Sequence, residues 1–405
     1  MHGSTPWLTS RRLRAHGLLL ALAVWSSYAW VLATPTLRDR NGLVKGTDFL
    51  HFYTLGSIAL EHRGADLYNM QTQSALAQEN VPQAGRLFYV PLYGPQVSLL
   101  FAPLAALPYA WALAIWSLAN AAIYALCCYA IWRTCPNLQS EPWTVLVLAV
   151  AYPAFFHLIA WGQTSALALA CFTAAYLALR SNHLYLAGIS LGCLIFKPQL
   201  ALAAAAIFLL ARAWKVIAGA LAAGAAQLAA AWIYYGTPVI EDYFHHLLHV
   251  RESYTLLEPR PYQMHSLRAF WAMLVPWSHV AFGLYLATAI AVLWVTFVDW
   301  RSPAPLSLRY SALLLATVLV SPHLTVYDLL ILTPAFLLTT GRLTTHNEDS
   351  QTRWLGLLLY LAYALPLIGP LAQWTHLQLS VPVFAALMWT IHRATTPPRP
   401  LEVPH

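Results

Sequence analysis

The chain predicts an all-α polytopic membrane protein, a bundle of about twelve transmembrane helices. Three observations carry that expectation. Of 405 residues, 59% are hydrophobic and 9% are charged, far below the roughly 25% of soluble domains. Apolar runs of about twenty residues, each enough to cross a bilayer as a helix, recur along the chain. Lys and Arg stand at the ends of those runs instead of forming a basic patch. The formal charge of +7 therefore reads as membrane topology, and nucleic acid is not expected as a partner.

Spans are expected near 17–34, 109–132, 142–159, 164–180, 183–196, 199–212, 215–234, 279–299, 306–321, 325–340, 352–369 and 376–392. The first run, "GLLLALAVWSSYAWVLAT", follows Arg11, Arg12 and Arg14. It is long, carries two Trp and lacks a small-residue cleavage site, so an uncleaved span is expected over a signal peptide. "PQVSLLFAPLAAL" (95–107) is short and interrupted by Pro103. It predicts a re-entrant segment packed on protein, where broken helix is tolerated at membrane depth. Pro198 separates two further short spans. Cys127, Cys128, Cys135, Cys171 and Cys193 lie in or beside spans and form neither a disulfide framework nor a zinc spacing.

Charge orients the bundle. With the N-terminus inside, inner ends collect Arg133, Arg180, Arg212, Lys215, Arg301, Arg309, Arg342, Arg353 and Arg393, as the positive-inside rule asks. The layout is then an inner arm (1–16), one transmembrane domain (17–392) and an inner tail (393–405). Two long outer loops, 35–94 and 235–278, hold Asp39, Asp48, Glu61, Asp66, Glu79, Glu241, Asp242, Glu252 and Glu258. Long loops tend to be functional, so chemistry is expected on that face, over a proton path through the middle. Within the first loop, Phe49, Phe52, Tyr53, Gly56, Ala59 and Leu60 face one way and His51, Thr54, Ser57, Glu61 and His62 the other. That spacing predicts an amphipathic helix in the outer interface, ending at Gly64.

Asp48 stands among aromatics after "NGLVKGT". It reads either as a helix cap or as a general base near its working pKa. Lys197 in "IFKPQLAL" lies on the outer side against the charge trend. A lysine there either holds phosphate or snorkels to headgroups. "SPHLTVYDLLIL" (321–332) sets His323, Tyr327 and Asp328 at a polar break between spans. An ionisable group there is a functional candidate or part of a satisfied turn. His323 suits phosphate, and Asp328 suits a pairing with His323 or Lys197. Gln163 in "WGQTSALALA", and Gln263, His265, Ser266 and Arg268 in "PYQMHSLRAF", are outer polar groups. They suit sugar hydroxyls or phosphate, or are ordinary loop residues. "RLFYVPLYGP" (86–95), with Tyr89, suits a groove for lipid or sugar. No Walker loop is present, no metal spacing occurs, and the absence of a D-x-D pair argues against a metal-held diphosphate donor.

Taken in order, these stretches resemble glycosyltransferase family 87. "DF..FY" at Asp48, Phe49, Phe52 and Tyr53, "DLY" at 66–68 and "YVPLYGPQVSLLFAPLAALPY" look like its first luminal loop and second span. "GQTS", "KPQL", "QMHSLRAF" and "SPHLTVYDLLIL" follow in the family's order, over about 15–390. The family includes polyprenol-phosphate-mannose-dependent α-1,2-mannosyltransferases, and related proteins transfer arabinofuranose. The resemblance implies a GT-C fold with its site at the extracytoplasmic face. It also implies a lipid-phosphate sugar donor and metal-independent inverting transfer. It assigns Asp48 as base and matches His323 to the family's late-span histidine. "QMHSL" departs from the usual Asn-Gln-Ser pattern, which leaves the acceptor site open.

The resulting expectation is a hexosyltransferase of the bacterial inner membrane, without cofactor. It moves a sugar, mannose in the family's pattern, from a polyprenyl-phosphate donor to a lipid or glycan acceptor. Asp48 is catalytic. Lys197, His323 and Arg268 bind the donor phosphate. Gln163, Gln263, His265, Tyr89, Tyr327 and Asp328 bind sugar or acceptor. The alternatives are a transporter or flippase, which wants midplane charges and repeated broken helices, and a polysaccharide polymerase or ligase, which would draw on Arg251, Arg260 and His265.

Overall fold

The computed structural model describes residues 9–250, 260–343 and 350–395. Arg251, Glu252 and Glu258 lie outside the described residues, as do most of the two terminal arms. Among the described residues the chain is helical, with two isolated β-bridges and no strand.

The helices follow in order: α1 (Ser10–Leu32), α2 (Thr47–Leu60), α3 (Met70–Asn80), α4 (Gln96–Ala105), α5 (Tyr109–Trp132), α6 (Pro142–Val150) and α7 (Pro153–Trp161). Then come α8 (Ser165–Arg180), α9 (Leu184–Gly192), α10 (Leu202–Leu210), α11 (Trp214–Tyr235), α12 (Thr237–Leu248) and α13 (Leu267–Leu274). The chain closes with α14 (Ser278–Arg301), α15 (Leu306–Val320), α16 (Thr333–Leu343), α17 (Ser350–Ala364), α18 (Ala372–Thr375) and α19 (Ser380–Thr395).

Among the described residues, six helical runs are long and apolar enough to cross a membrane: α1, α5, α11, α14, Val326–Leu343 and Thr352–Thr375. The pair α6 and α7, bent by 44° where Pro153 follows Tyr152, makes a seventh if counted as one span. The expected twelve therefore reduce to six or seven of full length. The apolar segments are where the sequence places them, but α4, α8, α9 with Cys193–Phe196, and α15 are shorter. Hydropathy registers composition, whereas crossing needs about twenty helical residues. At ten residues, α4 is about 15 Å long and packs along α2.

Burial separates the bundle into shell and centre. On α1 only Gly17 is buried, and Leu18, Leu22, Trp111, Leu118 and Trp294 on the shell helices are largely exposed. Large apolar side chains in such number at a surface suit hydrocarbon, not water, and this is a membrane protein. By contrast, α15 buries every residue from Tyr310 to Val320, as a helix that is apolar all round must. Its ends are tied by the Tyr310 hydroxyl to the Phe172 carbonyl at 2.6 Å and by Tyr285 to the Val320 carbonyl at 2.7 Å. Elsewhere α9 and α11 touch backbone to backbone. A Cβ at Gly188 would lie 2.0 Å from the Val216 oxygen, the close approach that small residues permit between membrane helices.

The interfacial helix is corrected. In α2 every residue from Phe49 to Ala59 is buried. The aromatic face packs on α4, Phe52 stacking on Phe101 at 4.9 Å. The polar face is covered by the rest of its own loop. His51 stacks on Tyr89 at 4.7 Å, and Asn80 donates to the Ser57 hydroxyl at 3.1 Å. Periodicity reports that a helix has two faces; it does not report what covers the second.

Candidate functional site

The site assembles where α2, the α7–α8 turn, the bend after Phe196 and the 3-10 segment Val326–Leu332 meet. Gly46, at φ 68°, is the N-cap of α2, and Asp48 is the helix's second residue. The capping reading of Asp48 is thereby overturned. Its carboxylate turns to another part of the chain, and Gln163 Nε2 donates to Asp48 Oδ2 at 2.7 Å.

Local backbone chemistry sets Gln163 in place. Gly162 ends α7 at φ 71°, where a Cβ would sit 2.6 Å from that of Phe49. Only glycine takes this conformation at no steric cost. Two side chains of α5 hold the turn: Trp116 Nε1 donates to the Gly162 carbonyl at 2.9 Å and Asn120 Nδ2 to the Gln163 carbonyl at 3.1 Å.

Behind Gln163 lies a buried ion pair. Lys197 Nζ is 2.7 Å from Asp328 Oδ1, and the two residues are 4% and 1% exposed. Lys197 does not snorkel. Its ammonium also donates to Ser165 Oγ at 3.2 Å and to Gln163 Oε1 at 3.3 Å. An ammonium has only donors, so it must face the amide oxygen of Gln163. That leaves the amide nitrogen for Asp48. Asp328 is fully engaged: Ser165 Oγ donates to Oδ1 at 2.6 Å, and the Thr325 amide and hydroxyl donate to Oδ2 at 3.4 and 3.2 Å. These last two close a capping box on the 3-10 segment.

Asp48 lies deep yet keeps part of its surface accessible. Burial lifts its pKa from 3.8 to about 6, against the lowering by the Gln163 hydrogen bond and the Lys197 charge, with Asp328 adding to the rise. Tyr93 senses both carboxylates: its hydroxyl is pushed up by burial, then by Asp328 and Asp48. Tyr89 Oη donates to the Thr47 carbonyl, and its pKa is raised by burial and then by Asp48. Tyr327 lies against Lys197, with Nζ 5.0 Å from the ring centroid.

The segment that carries Gln263, His265 and Arg268 is tied to the stretch around His323. Met264 and Thr325 form a bridge, and the His265 amide donates to the Leu324 carbonyl at 2.9 Å. Arg268 Nη1 reaches the Pro322 carbonyl at 3.4 Å, beside His323, and burial lowers the Arg268 pKa to about 10. His323 is close enough for its charge to act on Asp328. Gln263 is half-buried in the short turn Pro261–Gln263. His265 turns elsewhere, with Nδ1 2.8 Å from Ser380 Oγ, and burial followed by His157 holds its pKa down near 3. Arg260 is exposed.

Sequence reasoning missed Ser165, Thr325 and Tyr93. Ser165 stands in the "GQTS" stretch, and Thr325 three residues before an acid is a capping-box spacing, so both carried a signal. Tyr93 carried none beyond its aromatic neighbourhood. Among the described residues no three His, Cys, Asp or Glu side chains gather as a metal site. Two cavities lie away from Asp48. One, of about 830 Å³, runs from Tyr152 and Thr333 to Asn137 and Glu141. The other, of about 690 Å³, is lined by Arg212 and Arg301.

A helical membrane bundle thus holds a partly accessible carboxylate against an ordered polar chain. The model of glycosyltransferase family 87 matches residues 92–322, a stretch that contains Gln163, Lys197 and Arg268. The chain belongs to that family and is a glycosyltransferase. No curated protein and no solved structure matches it.

Proposed function

We propose that the protein transfers a sugar, mannose in the family's pattern, from a polyprenyl-phosphate donor to a hydroxyl of a lipid or glycan acceptor, with inversion. One observation carries this reading: Asp48 is partly accessible, held by Gln163, and has its pKa raised to about 6. A general base works best when its pKa lies near the working pH. Asp48 takes the proton of the acceptor hydroxyl as that oxygen bonds to the anomeric carbon. The bond from the anomeric carbon to the phosphate oxygen breaks, and the phosphate leaves with the electron pair.

Arg268 and His323, adjoining at Pro322, receive the phosphate and stabilise the charge it gains. Lys197, expected to share that task, is matched by Asp328. Its role becomes that of a positioning residue, orienting Gln163 and through it Asp48. Asp328 shares that role, and His265, bonded to Ser380, holds its loop. Tyr89 and Tyr327 flank the reacting groups, and Gln163 and Gln263 offer amides to sugar or acceptor. Donor and acceptor held in line supply much of the acceleration. The bundle holds the lipid tail beside membrane lipids.

The placement of Lys and Arg at the other ends of the spans supports an extracytoplasmic site in a bacterial inner membrane. The gathering of Asp48 and Asp328 at one end of the bundle favours a transferase over a transporter, which wants its ionisable groups near the midplane. The test is purified protein in nanodiscs, incubated with a panel of polyprenyl-phosphate sugars and membrane-lipid acceptors, with the product identified by mass. Transfer by wild type and none by Asp48→Asn is expected. Folded wild type that transfers nothing from any donor overturns the reading.

A further inference from the structure

One buried group near the site has no hydrogen-bond partner among the described residues. His51 is buried, yet neither Nδ1 nor Nε2 makes a hydrogen bond. Buried polar atoms are rarely left so, and each case calls for a reason. The ring sits three residues after Asp48, so the two side chains share one face of α2. It stacks on Tyr89 at 4.7 Å and lies 5.7 Å from Tyr93, the two tyrosines whose hydroxyls sense Asp48. Both tyrosines are anchored, Tyr89 through its hydroxyl to the Thr47 carbonyl and Tyr93 through its carbonyl to the Tyr68 hydroxyl at 3.2 Å. Three planar rings thus pack together near the start of α2, close enough to Asp48 for its charge to act on two of them.

We propose that His51, with Tyr89 and Tyr93, forms a subsite for a neutral sugar ring, in which the imidazole binds one hydroxyl of the sugar beside the reacting centre. This rests on the transferase reading above. A neutral imidazole offers one N–H donor and one nitrogen acceptor. A sugar hydroxyl both donates and accepts, so the two match without a charge. Burial holds the His51 pKa down near 3, so the ring stays uncharged and does not suit a phosphate. Tyr89 and Tyr93 each keep part of their surface accessible, which supplies the mixture of apolar wall and few placed polar groups typical of small-ligand sites.

The experiment compares wild type, His51→Phe and His51→Asn. Phe keeps the ring and removes both hydrogen-bonding atoms; Asn keeps a donor and an acceptor. Binding is followed by intrinsic fluorescence with three probes: sugar-free polyprenyl phosphate, polyprenyl-phosphate mannose and its monodeoxy analogues. Transfer is followed by product mass with methyl α-mannoside and its deoxy analogues as acceptors. His51→Phe is expected to weaken binding of the mannosylated lipid, or to raise KM for the acceptor, by about ten- to a hundredfold. Sugar-free lipid should bind unchanged, and His51→Asn should recover part of the loss. One deoxy analogue should reproduce the loss in wild type and lose nothing further in His51→Phe. A deoxy effect on donor binding places the hydroxyl on the donor; an effect on acceptor KM places it on the acceptor.

The subsite is overturned if folded His51→Phe matches wild type with every probe, or if it loses sugar-free lipid equally. If His51→Phe does not fold, His51→Asn with the deoxy series decides by the same two criteria. Sugar-dependent binding lost in the variant, without transfer by wild type, retains the subsite and removes the transferase reading. Transfer by wild type that His51→Phe equals retains the transferase and removes the subsite.

Discussion

Gln163 Nε2 donates to Asp48 Oδ2 at 2.7 Å, across 115 residues of chain. The same amide accepts from Lys197 Nζ at 3.3 Å, and Lys197 pairs with Asp328 at 2.7 Å. A buried ion pair thus fixes which atom of Gln163 faces the carboxylate.

Asp48→Asn should abolish transfer while donor binding and expression remain. With a pKa of about 6, wild-type activity should rise as pH passes through that value, because the base works deprotonated. The groups around Asp48 are Gln163, Lys197, Asp328, Tyr89, Tyr93, Tyr109 and Tyr327. Initial rates between pH 4.5 and 8 check the limb; a flat profile would speak against Asp48 as base.

Stability should move in the opposite direction. The folded pKa is above the unfolded 3.8, so the folded state binds the proton more tightly. Between about pH 4 and 6 the contribution of Asp48 to stability falls as pH rises, and above 6 the charged form is a net cost. At pH 7.5 Asp48→Asn should therefore melt a few degrees higher than wild type, a gain on the order of 1 kcal/mol once solvent access is allowed for. The difference should vanish near pH 4. Thermal melts at the two pH values measure it.

Lys197→Met should destabilise by about 3–5 kcal/mol, because it strands a buried carboxylate. Adding Asp328→Leu should restore much of the stability but not the activity, since Gln163 then lacks the ammonium that orients it. Melting curves and rates for the two single variants and the double variant form the cycle. Recovery of activity in the double variant would leave the positioning role without support.

Gly162→Ala should cost at least about 1 kcal/mol from its left-handed backbone alone, with more from contact with Phe49, 2.6 Å from the new Cβ. The neighbouring Gln163 would shift from Asp48, so kcat should fall by more than KM rises. Steady-state kinetics beside a melt separates the two effects.

Arg268→Gln and His323→Gln should each raise KM for a polyprenyl-phosphate sugar by about tenfold or more, at little cost in stability, because both sit half-buried at the edge of the cluster. Wild-type KM values in both variants would move the phosphate elsewhere.

Much of this was legible before any coordinates. Uninterrupted apolar runs place Tyr109–Trp132 to the residue. The rarity of charge singles out Asp48, Lys197 and Asp328, and all three meet. Where prolines and polar breaks interrupt the runs, as at Pro153 and Pro198, composition still reads as membrane, but helix length falls below a crossing. Asp48 at the start of α2 was compatible with a cap, because local sequence shows the nearby amides and not the distant Gln163. His51 was assigned to the polar face of an interfacial helix for the same reason, since Tyr89 lies 38 positions on and covers it only in the fold.

By itself, then, the sequence determined the membrane-helical class and the apolar segments. These follow from local composition and from the cost of placing charge in hydrocarbon. Only the tertiary structure decided that Lys197 answers Asp328 and that Gln163 holds Asp48. It alone leaves His51 buried without a hydrogen-bond partner among the described residues. Those relations depend on which helices pack together, and they join atoms 131 and 115 residues apart in the chain. No local pattern encodes them.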